Sequence, residues 1–227
     1  MAWPSGIAVL VPVFDHAQTV GAVVAGCRAG GAPLIVVVDD GSRDGSGAAA
    51  GGDVLLRLPR NRGKGAALRL GLRYLAARGW RQALSIDADL QHPPAEALRL
   101  AEAAAADPAA LWIGVRDLRR APLASRCGRW ASGAACFLLS GRWPADAQSG
   151  LRVWPLPAAL QWGARAARYA FEPEAVARAC RCRVALRELA VRVCYPPRRI
   201  SHFAPIADSW RTALALLRLL AEPPLSR

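Results

Sequence analysis

Short apolar runs alternate with stretches of helical spacing through the first half of the chain. Residues 7–13 form a β-rich apolar run of strand length that leads into Phe14. Residues 19–28 then carry apolar side chains at Val20, Val23, Val24 and Cys27, the spacing of one helix face. A second run, 34–38, is apolar throughout and closes at Asp39-Asp40-Gly41-Ser42, as a strand buried on both faces of a parallel sheet does. A third strand is predicted at 54–58, followed by a glycine-bearing loop and a helix from about 65 to 77. A fourth, 83–86, stops at Asp87. Pro93-Pro94 opens a helix reaching about residue 106, since proline suits a first helical turn, and a fifth strand at 111–115 ends at Arg116.

The second half is less regular. Residues 125–139 and 172–181 read as helices, and 150–154, 184–186 and 190–194 read as strands. Residues 206–220 form an amphipathic pattern, with Ile206, Trp210, Leu214, Leu217 and Leu220 on one side and Asp208, Arg211, Ala215, Arg218 and Glu222 on the other. No internal repeat or flexible linker interrupts residues 1–227, so one domain is expected. Strands and helices joined by short links predict an α/β fold: an open, mostly parallel, Rossmann-like sheet with flanking helices. Such sheets bind ligands beyond the carboxyl ends of their strands. Asp39-Asp40, residues 61–65, Asp87-Ala88-Asp89 and Arg116 all fall just past a predicted strand end, which argues for one site.

Composition narrows the partners. The 227 residues hold 30 Lys+Arg against 17 Asp+Glu, a formal net charge of +13, and Lys64 is the one lysine. Coding bias toward arginine accounts for much of this. The charge also suits nucleic acid, an anionic membrane or phosphorylated substrates. The arginines are spread from Arg28 to Arg227 and form no basic tail, which weakens the nucleic-acid case. At 53% hydrophobic and 21% charged residues the chain is neither disordered nor fibrous. The six cysteines form no CxxC pair and have no histidine cluster beside them, so buried thiols in a cytoplasmic protein are expected in place of zinc or disulfides. The start of the chain lacks the basic residues of a signal peptide, and no apolar stretch is long enough to span a bilayer.

Three loops carry candidate chemistry. Asp87-x-Asp89-x-Gln91 offers three oxygen donors past a strand end, a sparse set suited to Mg²⁺ or Mn²⁺ completed by substrate phosphates; a bare pair of solvated loop aspartates is the ordinary alternative. In the 39–46 loop an aspartate can accept from a ribose hydroxyl or a base N–H, while Ser42 or Asp44 can cap the next helix. Residues 61–67 put Lys64 between glycines at a helix start, where phosphate is favoured, without the spacing of a P-loop.

With these motifs in order, VVDDGSRDGS (37–46), NRGKGAAL (61–68) and DADLQHPP (87–94), the chain resembles family 2 glycosyltransferases with the GT-A fold. Among them it is most similar to dolichyl- and polyprenyl-phosphate mannose or glucose synthases and their small bacterial relatives. The likeness continues through residues 114–116, 125–126, 146–152 and 168–172 and so covers nearly the whole chain. It implies a nucleotide-sugar half at 1–116, an acceptor half at 117–204 and a terminal amphipathic helix and tail at 205–227. It implies that Pro12, Phe14, Asp39 and Asp40 border the nucleotide, with Lys64 at the edge of the donor site. Asp87, Asp89 and Gln91 would hold Mg²⁺ or Mn²⁺ against the diphosphate, Arg116 and Arg126 would lie near donor or acceptor phosphates, and Asp146 and Gln148 match the acceptor-side motif.

The implied reaction inverts the anomeric centre and moves a sugar from a UDP- or GDP-sugar to a lipid-linked acceptor. A lipid phosphate would need no strong base; a hydroxyl acceptor would make Asp146 the candidate base. Asp15-His16 stands where relatives commonly have Asn-Glu, which leaves the base open. Ala170, Pro173 and the 201–203 segment also depart from the usual pattern. Nucleic acid is not an expected partner, whereas peripheral contact with an anionic membrane fits the composition. A non-catalytic nucleic-acid module is the remote alternative, resting on charge alone.

Overall fold

The computed structural model describes residues 2–117, 123–166 and 168–194 together with Thr212, Arg218, Leu219 and Glu222, leaving out the side chains of 123–129, 131 and 135. The apolar runs become strands β1 (Ile7–Val13), β2 (Ile35–Asp39), β3 (Val54–Arg57), β4 (Gln82–Ser85), β5 (Leu111–Arg116), β6 (Arg152–Pro155) and β7 (Leu186–Val191). Between them lie helices α1 (Val20–Ala29), α2 (Ser46–Ala49), α3 (Lys64–Ala77), α4 (Pro94–Ala105), α5 (Leu123–Ser140), α6 (Ala158–Gln161) and α7 (Phe171–Arg181). A 3₁₀ turn, Arg168–Ala170, runs directly into α7.

All seven strands join one sheet in the order β3-β2-β1-β4-β6-β5-β7. Strands β1 to β4 pair in parallel, as do β5 and β7, but β6 is antiparallel to both β4 and β5. The sheet is therefore mostly parallel, as the run pattern predicts. The reversed β6 has one consequence for the site. Its first residue, Arg152, pairs with Ser85 at the end of β4, so the segment before β6 enters on the same edge that the parallel strands leave.

Strand alternation fills both faces. On β1, Ala8 and Leu10 join Leu68, Leu72, Trp154 and Phe171 on one side, while Val9, Val11 and Val13 join Val20, Val23, Leu100 and Val153 on the other. Helix α3 lies so close to β1 that a Cβ at Gly71 would overlap Leu10. The central strands β1, β2 and β4 are buried at every position, which is why they read as continuous apolar runs.

Two strand expectations change. The predicted strands at 184–186 and 190–194 are one strand, β7, and Arg187 and Glu188 lie within it. As the last strand of the sheet it turns these side chains to solvent, so it lacks the apolar continuity of a central strand. The strand expected at 150–154 begins later, at Arg152, because 146–150 is a loop. The amphipathic helix expected at 206–220 lies largely outside the described residues; Thr212, Arg218 and Leu219 are helical.

Candidate active site

The polar clusters that follow β1, β2 and β4 converge at one sheet edge on a cleft of about 440 Å³. Pro12, Phe14 and His16 line it from β1 and the turn after it, Asp40 from the end of β2, and Asp87 and Asp89 from the end of β4. Asn61, Gly63 and Lys64 come from the α3 entry, and Arg168 and Tyr169 from the 3₁₀ turn.

Local folding fixes the acidic loop. Leu90 adopts φ +60°, a conformation costly for a bulky side chain, and the turn this makes lets Asp89 accept from Gln91 N at 3.0 Å and from Gln91 Nε2 at 2.6 Å. Thr19 Oγ1 donates to Ala88 O at 2.6 Å, tying the loop to the start of α1. Behind Asp87 lies Gly150, where a Cβ would overlap the carboxylate. Gly150 is itself held: Ser85 Oγ donates to its carbonyl at 3.0 Å, and Trp154 Nε1 donates to Ser85 Oγ at 2.9 Å.

Lys64 Nζ sits 2.6 Å from both Asp87 Oδ1 and Glu172 Oε1, with the Tyr169 ring centroid 5.9 Å away. Burial works against the ammonium charge, but the two carboxylates outweigh it and hold Lys64 protonated above the usual lysine range. Burial likewise opposes ionisation of Asp87, and Lys64 overrides it, bringing that carboxyl below its ordinary value. Asp89 moves the other way, raised by burial and then by the charge of Asp87. Glu172 is raised by burial, with Lys64 offsetting only part.

Among the described residues no three His, Cys, Asp or Glu side chains are grouped to hold a metal; the cleft offers the pair Asp87 and Asp89. Two carboxylates whose charges oppose each other fit a hard divalent ion that draws its remaining ligands from substrate and water. Gln91 is buried, turns its amide to Asp89, and is not among the cleft-lining residues.

At the end of β5, Arg116 holds Asp146 in a two-pronged pair, Nε to Oδ2 at 2.7 Å and Nη2 to Oδ1 at 2.9 Å. Asp146 is fully buried. Gln148 Nε2 donates to Ser132 Oγ on α5 at 2.9 Å. Arg152, with no exposed surface, spans the loop behind them: its guanidinium donates to the carbonyls of Ser149, Glu172 and Ala147. One arginine thus sets both the 146–150 loop and the start of α7. The side chain of Arg126 lies outside the described residues.

The two aspartates after β2 divide. Asp40 lines the cleft and accepts from Arg62 N at 2.8 Å and Gly63 N at 2.7 Å, shaping the entry to α3. Asp39 is buried, accepts from Ser42 N at 2.8 Å, pairs with Arg57 at 3.3 Å and does not line the cleft.

Glu172 and His92 went unassigned in the sequence. Glu172 carries its signal only as an acid in the Phe-Glu-Pro-Glu start of an otherwise buried helix. His92 is buried with Nδ1 unpartnered among the described residues, and burial pushes its pKa down to about 4, so the ring is neutral near pH 7. Asn61, which lines the cleft, likewise has a buried Oδ1 that is unpartnered among the described residues.

Comparison with known proteins adds an independent line. Residues 8–130 match the family model described as glycosyl transferase family 2. An uncharacterized protein of Methanocaldococcus jannaschii is 27% identical over 220 residues, covering 93% of this chain and 90% of its own length. The UDP-N-acetylglucosamine–dolichyl-phosphate N-acetylglucosaminyltransferase of Methanococcus voltae is 24% identical over 215 residues, 83% of this chain and 86% of that protein. Among solved structures, glucosyl-3-phosphoglycerate synthase from Mycobacterium tuberculosis, in complex with Mn²⁺, uridine diphosphate and glucosyl-3-phosphoglycerate, superposes with a TM-score of 0.74. It is 20% identical, and the match covers 96% of this chain and 80% of that one; the likeness is one of fold.

Proposed function

The chain belongs to glycosyl transferase family 2, and on that premise we propose an inverting, metal-dependent hexosyltransferase that moves a sugar from a UDP- or GDP-sugar to a polyprenyl phosphate or other lipid-linked acceptor. The observation that carries this reading is the position of Asp87 and Asp89, side by side in the cleft that Pro12, Phe14, Asp40 and Asn61 also line. In it the nucleoside lies between Pro12, Phe14 and Asp40, and Asn61 Oδ1 accepts a base or ribose donor. A divalent ion, Mg²⁺ or Mn²⁺, held by Asp87 and Asp89 would neutralise charge on the diphosphate leaving group. Gln91 orients Asp89, and Lys64 lends a fixed positive charge beside Asp87.

Transfer requires an acceptor oxygen to form a bond to the anomeric carbon as the bond to the nucleoside diphosphate breaks on the opposite face. A phosphate acceptor arrives as an anion and gives up no proton. Arg116, presented by its pairing with Asp146, is suited to bind it. That pairing also argues against the hydroxyl-acceptor alternative, because Asp146 is buried with both oxygens on the guanidinium. The acceptor class draws further support from relatives named for dolichyl-phosphate and undecaprenyl-phosphate transfer; the second, from Pseudomonas paraeruginosa, is 40% identical over 112 residues, 44% of this chain and 32% of its own length. Work on such an acceptor would occur at the cytoplasmic face of a membrane. The nucleic-acid alternative keeps only the net charge.

Radiolabelled sugar transfer to polyprenyl phosphate tests the reading. Asp89→Ala is expected to lower kcat at least about a hundredfold, the order typical of losing a preorganised electrostatic group, while its melting temperature holds. Full activity of the wild type in EDTA, or of Asp89→Ala, would contradict it.

A further inference from the structure

Helix α5 connects the acceptor side of the cleft to an apolar patch on the surface. Its Ser132 meets Gln148, while Trp130, Phe137 and Leu138 are 68%, 49% and 76% exposed. Trp143, just past the helix, is 46% exposed. The rings form one cluster: Trp143 lies 6.1 Å from Trp130 and 6.3 Å from Phe137, centroid to centroid. Positions 130, 133 and 137 fall on one stripe of the helix, and Trp143 lies across it. A Cβ at Gly133 would stand 3.0 Å from the Trp143 indole, so the ring is seated against backbone. Arg142 Nη2 donates to Leu186 O at 2.7 Å and anchors the turn that presents Trp143 to the edge of the sheet. Single exposed apolar side chains are ordinary; three contiguous exposed rings, with Leu138 exposed on the same helix, mark a contact surface.

The charge of the sequence that carries the patch points to the occupant. From 118 to 145 the sequence has arginine at 119, 120, 126, 129 and 142 and no aspartate or glutamate. This stretch suits an anionic surface. Tryptophans and arginines in one stretch of sequence are the composition of elements that rest at the headgroup level of a bilayer. Among the described residues no helix is long and apolar enough to cross a membrane.

We propose that α5 and Trp143 form the surface on which this chain docks to an anionic bilayer, laying the Trp130–Phe137–Trp143 cluster into the interface. Ser132 and Gln148 then carry the docked helix directly into the acceptor loop, so docking brings the Arg116–Asp146 pair toward lipid headgroups. The purpose of this surface rests on the lipid-acceptor reading above, but its test does not.

Flotation of the full chain with vesicles decides it. The chain is expected to float with vesicles of equal parts phosphatidylglycerol and phosphatidylcholine, and far less with phosphatidylcholine alone. Trp130→Ser with Trp143→Ser is expected to weaken partitioning at least about tenfold, since each ring removes a large apolar area from the contact. Melting temperature and nucleotide-sugar binding should not move. Leu138→Gln, three-quarters in solvent and outside the ring cluster, gives a milder loss of about threefold and guards against a folding artefact. Undiminished flotation of the double variant, or no flotation of the wild type, would overturn the proposal. So would a wild-type dimer in sedimentation that the double variant dissolves, which would assign the patch to a second copy. Vesicle binding without any nucleotide-sugar binding would support docking and count against the transfer reading.

Discussion

At Lys64 a single ammonium answers two carboxylates, Asp87 in the cleft and Glu172 beneath it. Removing it leaves two acids facing each other in a largely buried space, and an uncompensated buried charge costs more than the pair itself contributes. Lys64→Met is therefore expected to lower unfolding free energy by about 3 kcal/mol in urea titration. Adding Glu172→Gln should return part of that loss, because one of the stranded charges goes with it. A loss in the double variant equal to the sum of the two single losses would mean that Lys64 and Glu172 act separately. The sequence already marked Lys64 as the one lysine among so many arginines. The geometry supplies a reason: a compact ammonium reaches two carboxylates at 2.6 Å, whereas a planar guanidinium needs more room.

At the level of elements, the site depends on β6 running against its neighbours. Because it enters where β4 and β5 leave, the 146–150 loop arrives on the same edge as Asp87 and Arg116. Gly150 then packs its backbone against the Asp87 carboxylate, with no room for a Cβ. Gly150→Ala is expected to keep the fold, yet weaken apparent Mn²⁺ affinity about tenfold or more by displacing Asp87, as removal of a group that orients a ligand does. Manganese titration of the melting temperature reads this; unchanged affinity would show that Asp87 is not set by Gly150. This level also shows why the sequence was only partly legible. The β1, β2 and β4 runs declare themselves because both faces are buried, and the polar ends of the parallel strands locate the site. Strand β7 does not, since an edge strand carries Arg187 and Glu188 outward. Nor does Glu172, whose importance comes from Lys64, a partner distant in sequence that only the fold brings near, nor His92, whose neutral ring follows from burial. Asp39 and Asp40 were indistinguishable in sequence and separate only by the direction of successive side chains at a strand end.

Across the whole molecule, a formal charge of +13 favours anionic ligands around a cleft that itself holds three acids, Asp40, Asp87 and Asp89. In the proposed reading, long-range attraction and local chemistry are thus separate: arginines would bring nucleotide sugar and lipid phosphate near, and Asp87 with Asp89 would demand a metal before a diphosphate could settle. That dependence is the central claim, and thermal denaturation with UDP- and GDP-sugars, each with Mn²⁺ or with EDTA, tests it most directly. A ligand at a hundred times its Kd stabilises by about 2.7 kcal/mol, which for a chain of this size raises Tm by about 8 °C. The expected result is such a rise with one nucleotide sugar in Mn²⁺, lost in EDTA and in Asp89→Ala. No rise with any nucleotide sugar, or the same rise in EDTA, would contradict it.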